Sequence, residues 1–345
     1  MTFTLAGIEV AAGSRRTVDV PVGVFSNHTP VNMSIHVVHG AQAGPTIFVS
    51  AAIHGDEVIG VEIVRRLLGG LDPAHMRGTL LAIPVVNAFG FLAHSRYLPD
   101  RRDLNRSFPG SAEGSLAARL ARLFLDEVVE RCSLGIDLHS AAIHRTNLPQ
   151  LRISPAHEET RKLAEAFGAP VIIPSPLRDG SMRAAARERG VDVLLYEAGE
   201  GLRFDETAVR AGTSGILRVM RALDMVDEAT DLPADPPAPA VHALSSKWVR
   251  APEAGLVRVY RDVGEVVARD DVLAVVADPF GEREHEVRAT QAGLVIGRVT
   301  MPVVNAGDAL FHIARIEDHD AATDAVEGMG EVLDADPLWD EDEIV

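Results

Sequence analysis

The run TIFVSAAIHGDE, Thr46 to Glu57, followed at once by VIGVEIVRRLL, constrains this chain more than any other stretch. Apolar and small residues lead without a break into a tight turn, and beyond it apolar positions recur at helical spacing. This is a buried strand delivered straight into an amphipathic helix. A second apolar strand, TLLAIPVVN from Thr79 to Asn87, follows. Strand, helix and strand in that order predict an α/β layer architecture around a largely buried sheet. The turn also carries His54, Asp56 and Glu57, and such groups at the end of a buried strand are costly unless they find a partner. His54 and Glu57 can reach one metal ion from the same side of the turn. GIDLHS, Gly135 to Ser140, ends another strand with His139 in the same manner. Two imidazoles, one carboxylate and an open fourth position make the usual ligand set of a catalytic zinc.

The rest of the chain supplies the layers. Thr17 to Phe25 and Val31 to His39 alternate apolar and polar residues and read as an edge hairpin. Ala88 to Gly110 is a long loop rich in Gly, Pro, Arg and Asp, and loops of that length are more often functional than idle. Gly114 to Arg131 is helical, with Leu116, Leu120, Leu123, Phe124 and Val128 on one face. A second loop passes Arg145 and Arg152, and Pro155 to Phe167 reads as a helix. VIIPSP from Val171 is a short strand, Ser181 to Arg189 a helix and DVLLYE, Asp192 to Glu197, a buried strand. Asp205 caps a helix that runs to Leu223. Residues 1–226 thus form one α/β unit. Residues 227–243 are a Pro-rich linker, 244–316 a run of short strands expected to close into a small all-β barrel-like domain, and 317–345 an acidic tail.

Charge and cysteine content narrow the function. The net charge of −17 argues against a nucleic-acid partner, which needs clustered Lys and Arg. Glu317 to Val345 holds twelve acidic residues and no Lys or Arg, and it reads as a solvated, partly disordered end. The single cysteine, Cys132, cannot form an internal disulfide and reads as a small residue on a helix face. With no apolar run long enough to span a membrane and no basic stretch ahead of an apolar core at Met1 to Val10, a soluble cytoplasmic protein is expected.

Four motifs carry a family likeness. HGDE at 54–57, DLNRSFPG at 103–110, DLHS at 137–140 and YEAGE at 196–200 resemble, in order, those of the succinylglutamate desuccinylase and aspartoacylase family, relatives of the zinc carboxypeptidases. The resemblance implies an α/β/α zinc-carboxypeptidase-like domain with a central mixed sheet, and one Zn²⁺ per chain held by His54, Glu57 and His139. It implies Glu197 as the base that moves the proton, and Asn105 and Arg106 as the clamp on a substrate carboxylate, for which a guanidinium offers a planar fork. Arg96, in SRYLPD, is assigned to the oxyanion of the tetrahedral intermediate. The spacing from Arg96 to Asn105 is longer than in aspartoacylase-like relatives, so Arg101 and Arg102 are rivals for that role. Arg145, Arg178 and Arg183 are further candidates for the substrate pocket.

RAPEAGLVRVYRDVGEVVARDDVLAVVADPFGE with ATQAGLVIGRV also resembles a lipoyl or biotinyl barrel. A carrier domain attaches its cofactor to a Lys at a hairpin tip. Here Asp278 to Glu284 holds none, and Lys247 lies before the barrel, which excludes a swinging arm. In the family a C-terminal β-domain covers the site or mediates assembly, and homo-oligomerisation is left open.

The reading is a zinc-dependent amidohydrolase that removes the acyl group from a small-molecule N-acyl amino acid. Its rivals are a metallocarboxypeptidase or peptide amidase acting on short peptides, and a binding scaffold without activity.

Overall fold

The computed structural model describes residues 2–154, 157–226 and 238–334. Residues 227–237 of the expected linker and the tail beyond 334 lie outside that range. The chain opens with a small antiparallel pair, β1 (Thr2–Leu5) and β2 (Ile8–Ala11). β3 (Ser14–Val24) and β4 (Pro30–His39) form the expected hairpin at the edge of the main sheet. The centre of that sheet is parallel. It consists of β5 (Gln42–Ala51), β6 (Arg77–Ile83), β7 (Leu134–Ala141) and β10 (Asp192–Glu200), flanked on one side by β8 (Arg145–Ile153) and β9 (Val171–Pro174). β7 lies between β5 and β10, parallel to both, whereas β8 runs antiparallel to β10 and β4 antiparallel to β6. The sheet is therefore mixed.

Helices cover both faces. α1 (Ile59–Gly69), α4 (Glu158–Phe167) and α6 (Glu206–Ala222) pack on one face, where Ile47, Val49 and Ala51 of β5 meet Ile59 and Ile63 of α1. α3 (Leu116–Glu127) and α5 (Met182–Arg187) cover the other, and there Phe48 of β5 meets Phe124 of α3 edge to face at 5.7 Å. A strand buried on both faces needs apolar residues at successive positions, which is why IFVSAA does not alternate. A short helix, α2 (Ala88–Leu92), lies within the long loop after β6.

The stretch read as a loop past Arg145 and Arg152 is strand β8. Pro149 and the polar Thr146, Asn147 and Gln150 disguise it, yet Gln150 is fully buried and donates to the Leu148 and Ile296 carbonyls. The Ile296 carbonyl is supplied only by tertiary pairing, so local pattern could not reveal the strand.

Beyond the linker, β11 (Val241–His242) pairs with β9. β12 (Ser245–Arg250), β17 (Gly293–Val299) and β19 (Ala309–Arg315) join the main sheet, because β17 pairs antiparallel with β8. Among the described residues this makes a sheet of 13 strands. Facing it is a four-stranded sheet of β13 (Gly255–Val259), β15 (Val272–Ala277), β16 (Glu284–Arg288) and β18 (Val303–Val304), and β14 (Val266–Val267) pairs with β17. Val249, Leu273, Val276, Phe311 and Ile313 fill the space between.

The acidic end departs from the expectation of a solvated tail over its described part. α7 (His319–Asp334) is a helix with Ala322, Ala325, Met329 and Leu333 buried. These recur at three- and four-residue spacing, so the acidic side chains share the helix with an apolar stripe. Met329 and Leu333 join the core beneath α6. No helix among the described residues is long and apolar enough to cross a membrane.

Candidate metal centre

The end of β5 is bent sharply, with Ala52 at φ 51°, and the loop after β6 braces it. The Val86 and Asn87 amides donate to the Ala51 and Ala52 carbonyls, and the Asn87 side chain donates to Ile53 O and caps α2. Gly55 is required by that packing: a Cβ there would stand 1.9 Å from the carbonyl carbon of Gly90. The Glu57 amide then closes the turn onto His54 O at 3.1 Å. β7 runs beside β5 and carries His139 near its C-terminal end, at the same edge of the sheet.

Three buried side chains converge there. His54 Nδ1 lies 2.7 Å from Glu57 Oε1, and His139 Nδ1 lies 2.6 Å from Glu57 Oε2. One ligand atom from each of the three lies within 4.8 Å of the others, a group able to hold a metal ion. The opposite nitrogens are equally specified. His139 Nε2 meets Asp137 Oδ2 at 2.8 Å, and His54 Nε2 meets Asp103 Oδ1 at 3.2 Å. Ser50 Oγ donates to the other Asp137 oxygen at 2.8 Å. An imidazole whose far N–H is held by a carboxylate presents its other nitrogen as a lone pair, the arrangement typical of metal-ligating histidines. The donor set therefore fits a tetrahedral, borderline-soft cation such as zinc.

The electrostatics agree. Burial would raise the Glu57 carboxyl, but the charges of His54 and His139 overcome it and hold its pKa far below the ordinary value. Burial would depress His139, yet Asp137 and Glu57 raise it well above an ordinary histidine. His54 is raised too, by Glu57 and Asp103 against the same burial. Positive charge is favoured at this point of the molecule.

Above the three groups opens a cavity of about 330 Å³. Glu197, in the C-terminal half of β10, pairs across the strands with His139 and lines the cavity, as do Arg96, Asn105 and Arg106. All seven residues singled out from the sequence thus meet in one place. Arg96 binds Asp103 at 2.9 Å and approaches Glu57 at 3.3 Å, whereas Arg101 and Arg102 are exposed and do not line the cavity. Asn105 Oδ1 accepts the Met182 amide at the start of α5, which leaves its amide N–H groups for the cavity. Arg145, Arg178 and Arg183 are also in the wall. Burial and the neighbouring charge of Arg152 lower Arg183 to about 10, so the group keeps its charge at neutral pH.

Sequence reading passed over Asp137 and Asp103 as partners of the histidines, although both stand inside quoted motifs. It also missed Asn147, which donates to Glu197 Oε2 at 2.9 Å, and Arg152, which lies 3.1 Å from Glu197 Oε1. Trp248 of β12 completes the wall, with its ring stacked on His312 at 4.5 Å and the Arg145 guanidinium 5.4 Å from its centroid. No local signal marks Trp248, because it reaches the cavity only through the extension of the sheet.

Comparison with known proteins places these features. One relative, the N-alpha-acetyl-L-2,4-diaminobutyric acid deacetylase of Halomonas elongata, is 27% identical over 283 residues, which cover 79% of this chain and 83% of the relative. The product-bound structure of the ectoine utilization protein EutE (DoeB) from Ruegeria pomeroyi has a TM-score of 0.77 at 24% identity, covering 87% of this chain and 95% of that one. A succinylglutamate desuccinylase/aspartoacylase structure from Rhodobacter sphaeroides reaches 0.79 at 24% identity, covering 91% and 99%. Both structures share the fold described above. Residues 43–223, more than half of the chain and all four motifs, match the succinylglutamate desuccinylase/aspartoacylase catalytic domain, and the chain belongs to that family.

Proposed function

We infer that the protein is a zinc-dependent deacylase that hydrolyses the amide bond of an N-acyl amino acid. The observation that carries this reading is the convergence of His54, Glu57 and His139 at the floor of a cavity walled by arginines and by Glu197. His54, Glu57 and His139 would hold the zinc, which when bound supplies Lewis acidity that polarises a carbonyl and makes water a nucleophile at neutral pH. Glu197 takes the proton of the attacking water and passes it to the amide nitrogen. A carbon–oxygen bond forms, the carbon–nitrogen bond breaks, and a carboxylate and a free amine leave. The Arg96 guanidinium faces the negative charge that develops on the carbonyl oxygen, and Asn105 and Arg106 bind the α-carboxylate.

Two further facts support this assignment. At about 330 Å³ the cavity lies near the lower limit of small-molecule sites, which suits a single acylated amino acid better than a peptide. The Halomonas elongata relative is a deacetylase of an N-acetylated amino acid, the same reaction class. The test is metal analysis of the purified protein joined to a screen of N-acyl amino acids, beside short peptides, for amine release. Glu197→Gln should retain zinc and lose about 10²- to 10⁴-fold in turnover, the usual contribution of a general base. Turnover of peptides in preference to acyl amino acids would overturn the substrate assignment.

A further inference from the structure

Glu197 is gripped at both oxygens, by Arg152 at Oε1 and by the Asn147 amide at Oε2. Asn147 reaches the carboxylate through a local irregularity. Gln150 of β8 pairs with Glu197 of β10, but the next pair is Asn147 with Gly199, so β8 holds one residue more than β10 between them. A bulge of this kind reverses which face the following side chains take. Leu148 accordingly packs into the core that includes Ala322 of α7, while Asn147 enters the cavity. Pro149, with no N–H to give to a ladder, sits inside the bulge.

The C-terminal strands close the other side of Asn147. Gly297 of β17 pairs with Asn147, and a Cβ at Gly297 would stand 2.6 Å from Asn147 Oδ1. That oxygen ends a short side chain, so a methyl group there displaces the amide first, while the Thr146 carbonyl, 3.2 Å away, gives by only a few tenths of an ångström. The same row continues through His312, paired with Gly297, to Trp248, paired with His312.

We propose that Asn147 is a positioning residue for Glu197, and that Gly297 of the C-terminal strands sets the Asn147 amide in place. The proposal rests on Glu197 acting as the base. A glutamate at the end of three rotatable bonds must be fixed if its free lone pair is to meet the attacking water, and small misplacements of reacting groups are expensive. Gly297 gives the C-terminal strands a part in turnover without any contact between β17 and substrate.

The test uses the full-length, zinc-loaded protein and an N-acyl amino acid that the wild type hydrolyses. Asn147→Ala and Gly297→Ala are each expected to lower kcat by about tenfold or more, the scale of lost outer-shell support, with KM and bound zinc unchanged. In the Glu197→Gln background neither substitution should slow the reaction further, because the amide acts only through that carboxylate. A crystal structure of Gly297→Ala should show the Asn147–Glu197 hydrogen bond broken and the three zinc-binding side chains unmoved. Full-speed Asn147→Ala beside an inactive Glu197→Gln overturns the proposal alone. A loss confined to KM, or one that adds to that of Glu197→Gln, overturns it in favour of direct substrate contact. Glu197→Gln at the wild-type rate removes the base assignment and the proposal together.

Discussion

Replacing Asp137 by Ala should weaken zinc binding more than any other change outside the three binding side chains. Asp137 is fully buried, two residues before His139 on β7, with its oxygens held by His139 Nε2 and Ser50 Oγ, both at 2.8 Å. Its charge keeps the His139 proton on Nε2 and so leaves the Nδ1 lone pair for the metal that Glu57 shares. Loss of such a partner costs about 10- to 100-fold in metal affinity, or about 1.4 to 2.7 kcal/mol. The upper end is expected here, since at a fully buried position the stranded Nε2 and Ser50 hydroxyl pay their desolvation cost unrelieved. Asp103 is the internal control. It meets His54 at a longer 3.2 Å with its side chain 15% exposed, so water can replace part of what Asp103→Ala removes. Competition against a chelator of known affinity, at neutral pH and low ionic strength, measures both constants. Wild-type affinity in Asp137→Ala, or a larger loss in Asp103→Ala, would refute the reasoning.

Two further outcomes follow from the charges. Metal-ligating imidazoles must be deprotonated, and Glu57 with Asp103 and Asp137 raises His54 and His139 above an ordinary histidine against their burial, so zinc uptake should release protons and tighten as pH rises. Calorimetric titration in buffers of different ionisation enthalpy reads this directly, and buffer-independent heats would contradict it. The His312 pKa is lowered from its ordinary value of 6.5 to about 3 by burial and by the charge of Arg152. Between those two values the unfolded chain binds a proton that the native one refuses. Its contribution to stability is therefore complete above the unfolded pKa and is lost as pH falls towards about 3, with a slope of up to about 1.4 kcal/mol per pH unit. Denaturant unfolding across that window should show a flatter profile for His312→Phe than for wild type.

What could be read from the amino-acid order was whatever neighbouring residues decide together. Thr46 to Leu68 is a strand, a turn and a helix because apolar run, glycine and helical spacing are consecutive, and His54, Glu57 and His139 stand out because polar groups close apolar strands. The four motifs likewise gathered six of the seven proposed site residues, all but Arg96, each motif being a short run held by one turn or strand end. The choice among Arg96, Arg101 and Arg102 was not local, since it depends on which guanidinium the folded loop turns towards Asp103 and Glu57. β8 escaped notice because its polar residues are satisfied by distant strands, Gln150 by Ile296 of β17, 146 positions away in the chain, and Asn147 by Glu197 of β10. The apolar stripe of α7 was masked by the acidic residues around it. The bulge that brings Asn147 to Glu197 is a mismatch in residue count between two strands, and Trp248 reaches the cavity only through strands added at the edge of the sheet. Register and strand order are relations between distant segments, so they exist only once the sheet is assembled.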